Sequence, residues 1–254
     1  MATSLTPPPI RRCAADSRRG FWRRQPGPVK VRPNKGALMR AGLAVLGWLM
    51  AAGAAAAHPH VFVDTGLEIL LDDQNRATGV RISWTYDDLT SLQLIADRGL
   101  DEDFDGVLTP EEEAAILGFD MAWPPGVAGD TYALLGETPL DWSGPQEVTV
   151  AYADAKLTSS HLRRFAQPVE LGAQPLIVQA YDTSYYTAYA VVRAVVSGGQ
   201  GNCSAEIFAP EASEANEVLR AAMAELSPTD DAEALFPAVG AAFAEEARVT
   251  CAAP

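Results

Sequence analysis

Two of the three histidines in this 254-residue sequence lie together where the composition changes. They flank a proline in AAAAHPHVFVD, residues 54–64, where a run of alanines gives way to a strand-like pattern. Alternate residues of a strand share one face, so His58, His60 and Asp64 are predicted to point the same way. Imidazole and carboxylate groups bind divalent transition ions such as Zn, Ni, Co or Cu. His161 is predicted to complete this transition-metal site from a neighbouring strand.

Two other interpretations of the histidine pair stay open. If the chain is cut after Ala57, His58 becomes the first residue, and its amine and ring can chelate copper as a histidine brace. The pair can also be incidental and mark a solvated strand start without a metal. A further terminal copper or nickel mode needs an amide proton at the second position, and Pro59 excludes it because proline has no N–H.

A second ligand-bearing segment is DEDFDGVLTPEE, residues 101–112, which matches the twelve-residue calcium loop of an EF-hand at every specified position. The predicted calcium ligands are Asp101, Asp103, Asp105, the Val107 carbonyl, Thr109 and Glu112. An acidic turn before a capped helix would explain the TPEE end of the segment. It would not explain three alternating aspartates followed by glycine, so we predict calcium binding. No second loop follows in the sequence, which favours a structural site over a regulatory one.

An apolar, uncharged stretch at residues 41–53, AGLAVLGWLMAAG, indicates export. It is shorter than the roughly 20 residues of a membrane span and resembles the hydrophobic region of a secretory signal peptide. Small residues at 55–57 provide a cleavage pattern. We therefore predict that 1–57 is a leader with a cleaved signal peptide, with Met39 as an alternative start because the preceding residues are rich in Arg and Pro. An uncleaved anchor is the alternative.

The predicted leader holds most of the positive charge of the chain. It contains ten of the 19 Lys and Arg residues and one of the 33 Asp and Glu residues, which leaves 9 basic and 32 acidic residues, a net charge near −23. Such a surface repels nucleic acid and anionic membranes and attracts cations. We therefore expect no nucleic-acid partner and no membrane insertion of the exported chain. Because the sequence has no G-x-S-x-G motif and no reactive-cysteine setting, we also predict no enzymatic activity.

Short alternating segments after residue 57 predict a mainly β fold. HPHVFVDTGLEILL and VRISWTYDD, separated by a polar turn, predict a β-hairpin. Six further strands are predicted at 132–137, 146–152, 163–171, 175–182, 185–192 and 203–210. This spacing is typical of an immunoglobulin-like β-sandwich, which we predict over 58–210 with an EF-hand-like helix–loop–helix inserted at about 88–118. An α+β sheet is the alternative.

The C-terminal part is predicted to be helical and to be joined to the body by a disulfide. EASEANEVLRAAMAEL carries an apolar stripe at helical spacing, so 211–254 is predicted as a helical segment. Cys203 and Cys251 are the cysteines that remain outside the leader, and in an oxidising compartment two such residues predict one disulfide. A free buried pair is the alternative; metal ligation is disfavoured because no nearby residue has ligand spacing.

Several of these motifs together resemble an uncharacterised exported family. The similar segments are AHPHVFVD, WTYDD at 84–88, the calcium-type loop, LRRFAQPVEL and LIVQAYDTSYY. Members of that family are often labelled the periplasmic component of an ABC-type transport system. They are often found beside, or fused to, nickel/cobalt-type exporters or divalent-metal uptake systems. The resemblance implies a periplasmic location and a membrane metal transporter or exporter as partner.

The function predicted from the sequence is that of a periplasmic divalent-metal-binding accessory protein of a transition-metal transport system, with a structural calcium site. One alternative is a copper carrier or oxidase that uses an N-terminal histidine brace. The other is a calcium-stabilised structural or interaction domain whose histidines are incidental.

Overall fold

A computed structural model describes residues 59–124, 127–172, 174–227 and 236–252 of the chain. The predicted leader and signal peptide and the predicted ligand His58 lie outside these residues. In the described part, no helix combines the length and apolar character that crossing a membrane requires.

The described residues form the predicted mainly β fold, with two five-stranded sheets. The strands are β1 (Val61–Leu71), β2 (Arg76–Tyr86), β3 (Thr131–Leu135), β4 (Thr138–Pro139), β5 (Gln146–Ala153), β6 (Lys156–Glu170), β7 (Leu176–Ala180), β8 (Thr187–Gly198), β9 (Cys203–Phe208) and β10 (Glu245–Cys251). The first sheet has the order β5-β6-β2-β1-β8, and the second has the order β4-β3-β7-β10-β9. Side chains from both sheets share one hydrophobic core, so the fold is a β-sandwich.

Strands β1 and β2 form the predicted hairpin, and their alternation determines which side chains are buried. Val63 and Leu67 of β1 lie in the core, whereas Phe62 and Asp64 are exposed. Trp84 of β2 lies on the buried face. Fully burying an apolar side chain of this kind contributes about 1.5–3 kcal/mol, so the burial pattern holds the register of the hairpin. Strand β1 also pairs in parallel with β8, which places it inside the first sheet.

A helix–loop–helix follows β2, as predicted. Helix α1 spans Asp88–Ala96, and helix α2 spans Pro110–Ile116. Asp87 caps the first helix, and Thr109 forms a capping box with Glu112 at the second. The insertion packs on β6 through a small separate apolar cluster, which consists of Ile95, Leu100, Leu108, Ile116 and Leu157.

The C-terminal part differs from its prediction. Helix α3 spans Ala212–Met223, but Glu245–Cys251 is strand β10, which pairs with β7 and β9. The prediction of a helical segment over 211–254 is therefore wrong for this stretch. Ala247 and Val249 are its buried residues, and two apolar positions in a short Ala/Glu-rich stretch do not distinguish a strand from a helix. Pairing on both sides decides the conformation.

The predicted disulfide between Cys203 and Cys251 is present. The two residues stand directly opposite each other in β9 and β10. The bond therefore joins β10, the last strand of the described residues, to β9, the edge strand of the second sheet, as expected for a crosslink that holds the C-terminal part to the body.

Candidate metal sites

The loop between α1 and α2 brings three aspartates together. Asp101, Asp103 and Asp105 each offer a carboxylate oxygen, and these oxygens lie within 4.8 Å of one another. Left-handed backbone at Asp101 (φ 51°) and at Gly106 (φ 77°) turns the chain back on itself. Nothing lies within 4 Å of the place where a Cβ on Gly106 would stand, so the turn and not a close contact requires glycine there.

Glu112 lies across the same loop. Its Oε1 accepts a hydrogen bond from the Asp101 N–H (2.9 Å), and its Oε2 accepts one from the Thr109 N–H (2.8 Å). The backbone N–H groups of Thr109 and Asp101 hold the pKa of Glu112 below its usual value, so this carboxylate is charged at neutral pH. A set of hard carboxylate oxygens fits calcium, which takes about 6–8 oxygen ligands.

His60 is the residue directly before β1, and its side chain is exposed. Its N–H donates to the Tyr186 carbonyl (2.8 Å), and its ring lies 4.8 Å from the Tyr186 ring, centroid to centroid. Asp64 is exposed too and stands four residues further along the extended chain, roughly 13 Å away at about 3.3 Å per residue. A single zinc-type ion, with bonds of about 2 Å, brings its ligand atoms within roughly 4 Å of each other. The backbone spacing of roughly 13 Å is much larger than this, so the strand itself does not place Asp64 beside His60.

His161 lies in the core, in the middle of β6. It stands opposite Ile82 of β2, which stands opposite Leu67 of β1, seven residues beyond His60. The separation from His60 is therefore roughly 23 Å along the strand direction, and the structure does not bring the two histidines together. Among the described residues, the aspartate cluster is the one group of three or more His, Cys, Asp or Glu side chains whose ligand atoms lie close together.

The His161 ring is enclosed by aromatic side chains. The Trp84 and Trp123 rings contact it edge-on at centroid distances of 5.0 and 5.6 Å. Neither ring nitrogen has a hydrogen-bond partner in the described part of the chain. Burial, and then the positive charges of Arg163 and Arg81, lower the pKa of His161 to about 3, so the ring is neutral at ordinary pH.

A buried polar cluster next to His161 was not predicted from the sequence. Asp120 accepts hydrogen bonds from the Tyr86 hydroxyl (2.8 Å) and from the Ser159 hydroxyl, while its Oδ1 has no partner among the described residues. Burial raises the pKa of Asp120, against the effect of these two hydrogen bonds. The signal that could have identified the cluster is a polar residue at an inward position of a strand, as at Ser159 and His161.

A second carboxyl with a raised pKa, Asp130, is half-buried and belongs to the connection that leads into β3. The Tyr189 hydroxyl donates to its Oδ2 (3.0 Å). Burial raises the pKa of Asp130 to about 6; the Tyr189 hydrogen bond opposes this shift, and the charge of Asp182 adds to it. This group therefore changes its charge in a pH range where ordinary aspartates are already ionised.

Comparison with known proteins gives one family. A family model described as "Protein of unknown function (DUF1007)" matches residues 43–251, more than four-fifths of the chain. No curated protein matches the chain.

Proposed function

The chain belongs to the DUF1007 family, and we propose that it is an exported divalent-metal-binding accessory protein of a transition-metal transport system, with a structural calcium site in the 101–112 loop. The calcium site is the part that the geometry supports best. The observation that carries it is the convergence of the Asp101, Asp103 and Asp105 oxygens within 4.8 Å of one another. Both oxygens of Glu112 are held against the same loop.

Bound calcium would strengthen the attachment of the inserted helix–loop–helix to the first sheet. Three like charges this close repel one another, and a bound cation turns that repulsion into attraction. The loop connects α1 to α2, whose apolar side chains pack on Leu157 of β6. Neutralising the loop therefore stabilises the insertion against the first sheet. A lone extracellular loop of this kind binds calcium at about 0.1–1 mM.

The proposed transition-metal site is reduced to the pair His58 and His60. Neutral imidazoles suit Zn, Ni, Co and Cu, and the acidic surface attracts cations. Asp64 and His161 are not kept as proposed ligands, because Asp64 lies roughly 13 Å along the strand from His60 and His161 is buried in the core. Two protein ligands leave coordination positions open, and an ion held in this way can be passed to another protein, unlike one in a closed four-ligand site. Export and a membrane transporter as partner rest on the 41–53 stretch and on the sequence resemblance.

A calcium-stabilised structural or interaction domain is the second candidate function. The burial of His161 favours it, because the third histidine then has a place in the core and no place in a metal site. The histidine-brace alternative depends on the amine of His58 and therefore on the cleavage position.

The test combines intact mass with elemental analysis of protein purified from the exported fraction. The wild type is compared with the double variant His58→Ala/His60→Ala and with Asp64→Asn, which changes a charge on the same strand without touching the pair. One transition ion per chain, lost in the double variant and kept in Asp64→Asn while calcium remains, supports the proposal. Calcium alone in all three proteins supports the second candidate. A mass that begins at His58 supports the brace.

The calcium site is tested separately by titration calorimetry with Asp103→Asn and Glu112→Gln. Both variants remove a proposed ligand charge, and we expect each to weaken calcium binding by at least about tenfold, as expected when one charged partner is lost. Glu113→Gln is the matched control, since this neighbouring carboxylate lies outside the loop and is exposed. Equal weakening of calcium binding in all three variants would show that the binding depends only on the general negative charge of the loop and the helix that follows it.

A further inference from the structure

Arg163 is a buried cation that has no acidic partner among the described residues. It is 5% exposed. Within the described residues, no carboxylate oxygen lies within 4.0 Å of its guanidinium nitrogens. Its Nε donates to the Ser143 carbonyl (2.9 Å), and its Nη1 donates to the carbonyls of Ala128 (2.6 Å) and Thr131 (3.3 Å). Buried arginines are rare unless they are paired with a charge, so this arrangement needs an explanation.

The guanidinium keeps both its charge and unused donors. Burial lowers the pKa of Arg163 to about 10, so the group is protonated at neutral pH. Its carbon lies 4.1 Å from the Trp142 ring centroid and 5.3 Å from that of Trp123. The three hydrogen bonds use Nε and Nη1, and within the described residues Nη2 donates to none. Two N–H groups are thus left for a further acceptor.

Arg163 is one of the residues that line a cavity of about 440 Å³ beside strand β3 of the second sheet. Such a volume lies in the range of small-molecule pockets, about 300–1,000 Å³. Trp142, Tyr132 and Tyr181 supply aromatic walls, and the rings of the two tyrosines stack at 4.1 Å. Asp141 is the acidic side chain among the described lining residues; it is exposed, and it forms no ion pair with Arg163.

We propose that this cavity, which we call the Arg163 cavity, binds a small carboxylic acid with a flat apolar body. The carboxylate accepts hydrogen bonds from Nη2 of Arg163 and supplies the missing negative charge. The flat body packs against Trp142 and Tyr132, since aromatic rings offer a large apolar surface to a planar group. A bare inorganic anion would satisfy the charge but leave these walls without a partner. The site is independent of the proposed metal function.

The test titrates the full chain with benzoate and follows tryptophan fluorescence, with calorimetry as a second readout. Acetate, which has the charge without the ring, and benzyl alcohol, which has the ring without the charge, are the matched probes. We expect saturable benzoate binding and at least about tenfold weaker binding of both other probes, because a charge-assisted hydrogen bond and ring packing each contribute about that much. Benzoate that fails to saturate, or that binds no better than either probe, overturns the proposal.

Variants then locate the binding. Arg163→Gln is expected to abolish the preference for benzoate over benzyl alcohol. Because that substitution is buried and can unfold the chain, Tyr132→Leu serves as a second variant at a half-buried position. This variant should weaken benzoate binding by about three- to tenfold while leaving the guanidinium in place. Arg164→Gln removes an exposed charge next along β6, one that pairs with Glu147, and should have no effect. A loss in Arg164→Gln equal to that in Arg163→Gln would overturn the proposal.

Discussion

His161 shows how the face of a strand determines what a polar residue can do. Its two ring nitrogens have no hydrogen-bond partner among the described residues and lie in the core of the sandwich, where an unsatisfied polar group costs about 1–3 kcal/mol. We therefore expect His161→Leu, a change of similar volume, to leave the free energy of unfolding at pH 7 equal to that of the wild type or higher by up to about 2 kcal/mol. Urea unfolding measures the difference.

The control for this substitution is Ser160→Ala, which changes the half-buried neighbour on the opposite face. It should alter the free energy of unfolding by no more than about 0.5 kcal/mol. If His161→Leu instead lost more than about 2 kcal/mol, the size of a large core defect, the ring nitrogens would have to be engaged in hydrogen bonds. That result would contradict the view of His161 as an unsatisfied core residue.

Asp130 makes stability depend on pH. Its pKa is about 6 in the folded chain against an ordinary value of 3.8. Between these values the folded chain holds a proton that the unfolded chain has released, so folding is favoured by this group below about pH 4 and loses that contribution as the pH rises through about 6. Asp130→Asn removes the dependence. We expect its stability relative to the wild type to rise by up to about 3 kcal/mol from pH 4 to pH 7.

The comparison of Asp130→Asn with the wild type removes the effect of other groups. His161 acts in the opposite direction, since its lowered pKa makes the folded chain the weaker proton binder, but it is present in both proteins and cancels in the difference. The measurement is urea unfolding of both proteins at several pH values. A difference that stays constant with pH would contradict the raised pKa of Asp130.

At the scale of elements, the crosslink between β9 and β10 carries the next prediction. Cys203 and Cys251 are 48 residues apart, and opening a loop of that length costs up to about 4 kcal/mol on the chain-entropy model. We expect Cys203→Ser/Cys251→Ser to lower the free energy of unfolding by about 2–4 kcal/mol while the strands stay paired. Circular dichroism and urea unfolding test both parts. The wild type treated with reductant should match the variant; an unchanged stability in either would show that the bond is dispensable.

Some elements could be predicted because their signal is local. The β1–β2 hairpin follows from two nearby segments that alternate apolar and polar residues, and the 101–112 loop has all the proposed calcium ligands within twelve contiguous residues. Strand β6 begins at Lys156, well before the predicted 163, because inward Ser159 and His161 are polar and interrupt the apolar alternation. Short-range patterns record which residues are apolar, and they miss a strand whose buried face is polar.

The buried polar cluster could not be predicted because its members are not neighbours in the chain. Tyr86, Asp120 and Ser159 come from β2, from the connection after α2 and from β6. Only the pairing of β2 with β6 and the path of the connection bring them together. The position of His161 could not be predicted for a related reason, since the sequence does not state which face of β6 is buried, and the structure places His161 in the core, away from His60.

At the scale of the whole molecule, the excess of acidic residues affects stability. Outside residues 1–57 the sequence has 32 acidic and 9 basic residues, so most carboxylates have no cation to pair with. Within the described residues the ion pairs engage few of them, among these Asp72 and Glu147. A high net charge of one sign destabilises the compact state by self-repulsion, and salt screens that repulsion.

The response to cations separates this general repulsion from the calcium loop. We expect the melting temperature to rise as NaCl is raised from about 0.01 to 0.5 M, because the screening length falls from about 30 Å to a few ångströms. Calcium at about 1 mM, which adds little ionic strength, should raise the melting temperature further if the folded loop binds it as proposed. Magnesium at the same concentration is the matched control, since it has the same charge but demands a tighter octahedral geometry.

If Asp103→Asn abolishes the calcium increment in melting temperature and keeps the NaCl response, the two effects are distinct. Equal increments from both divalent ions would attribute the calcium effect to screening, because only the loop geometry distinguishes one divalent ion from the other.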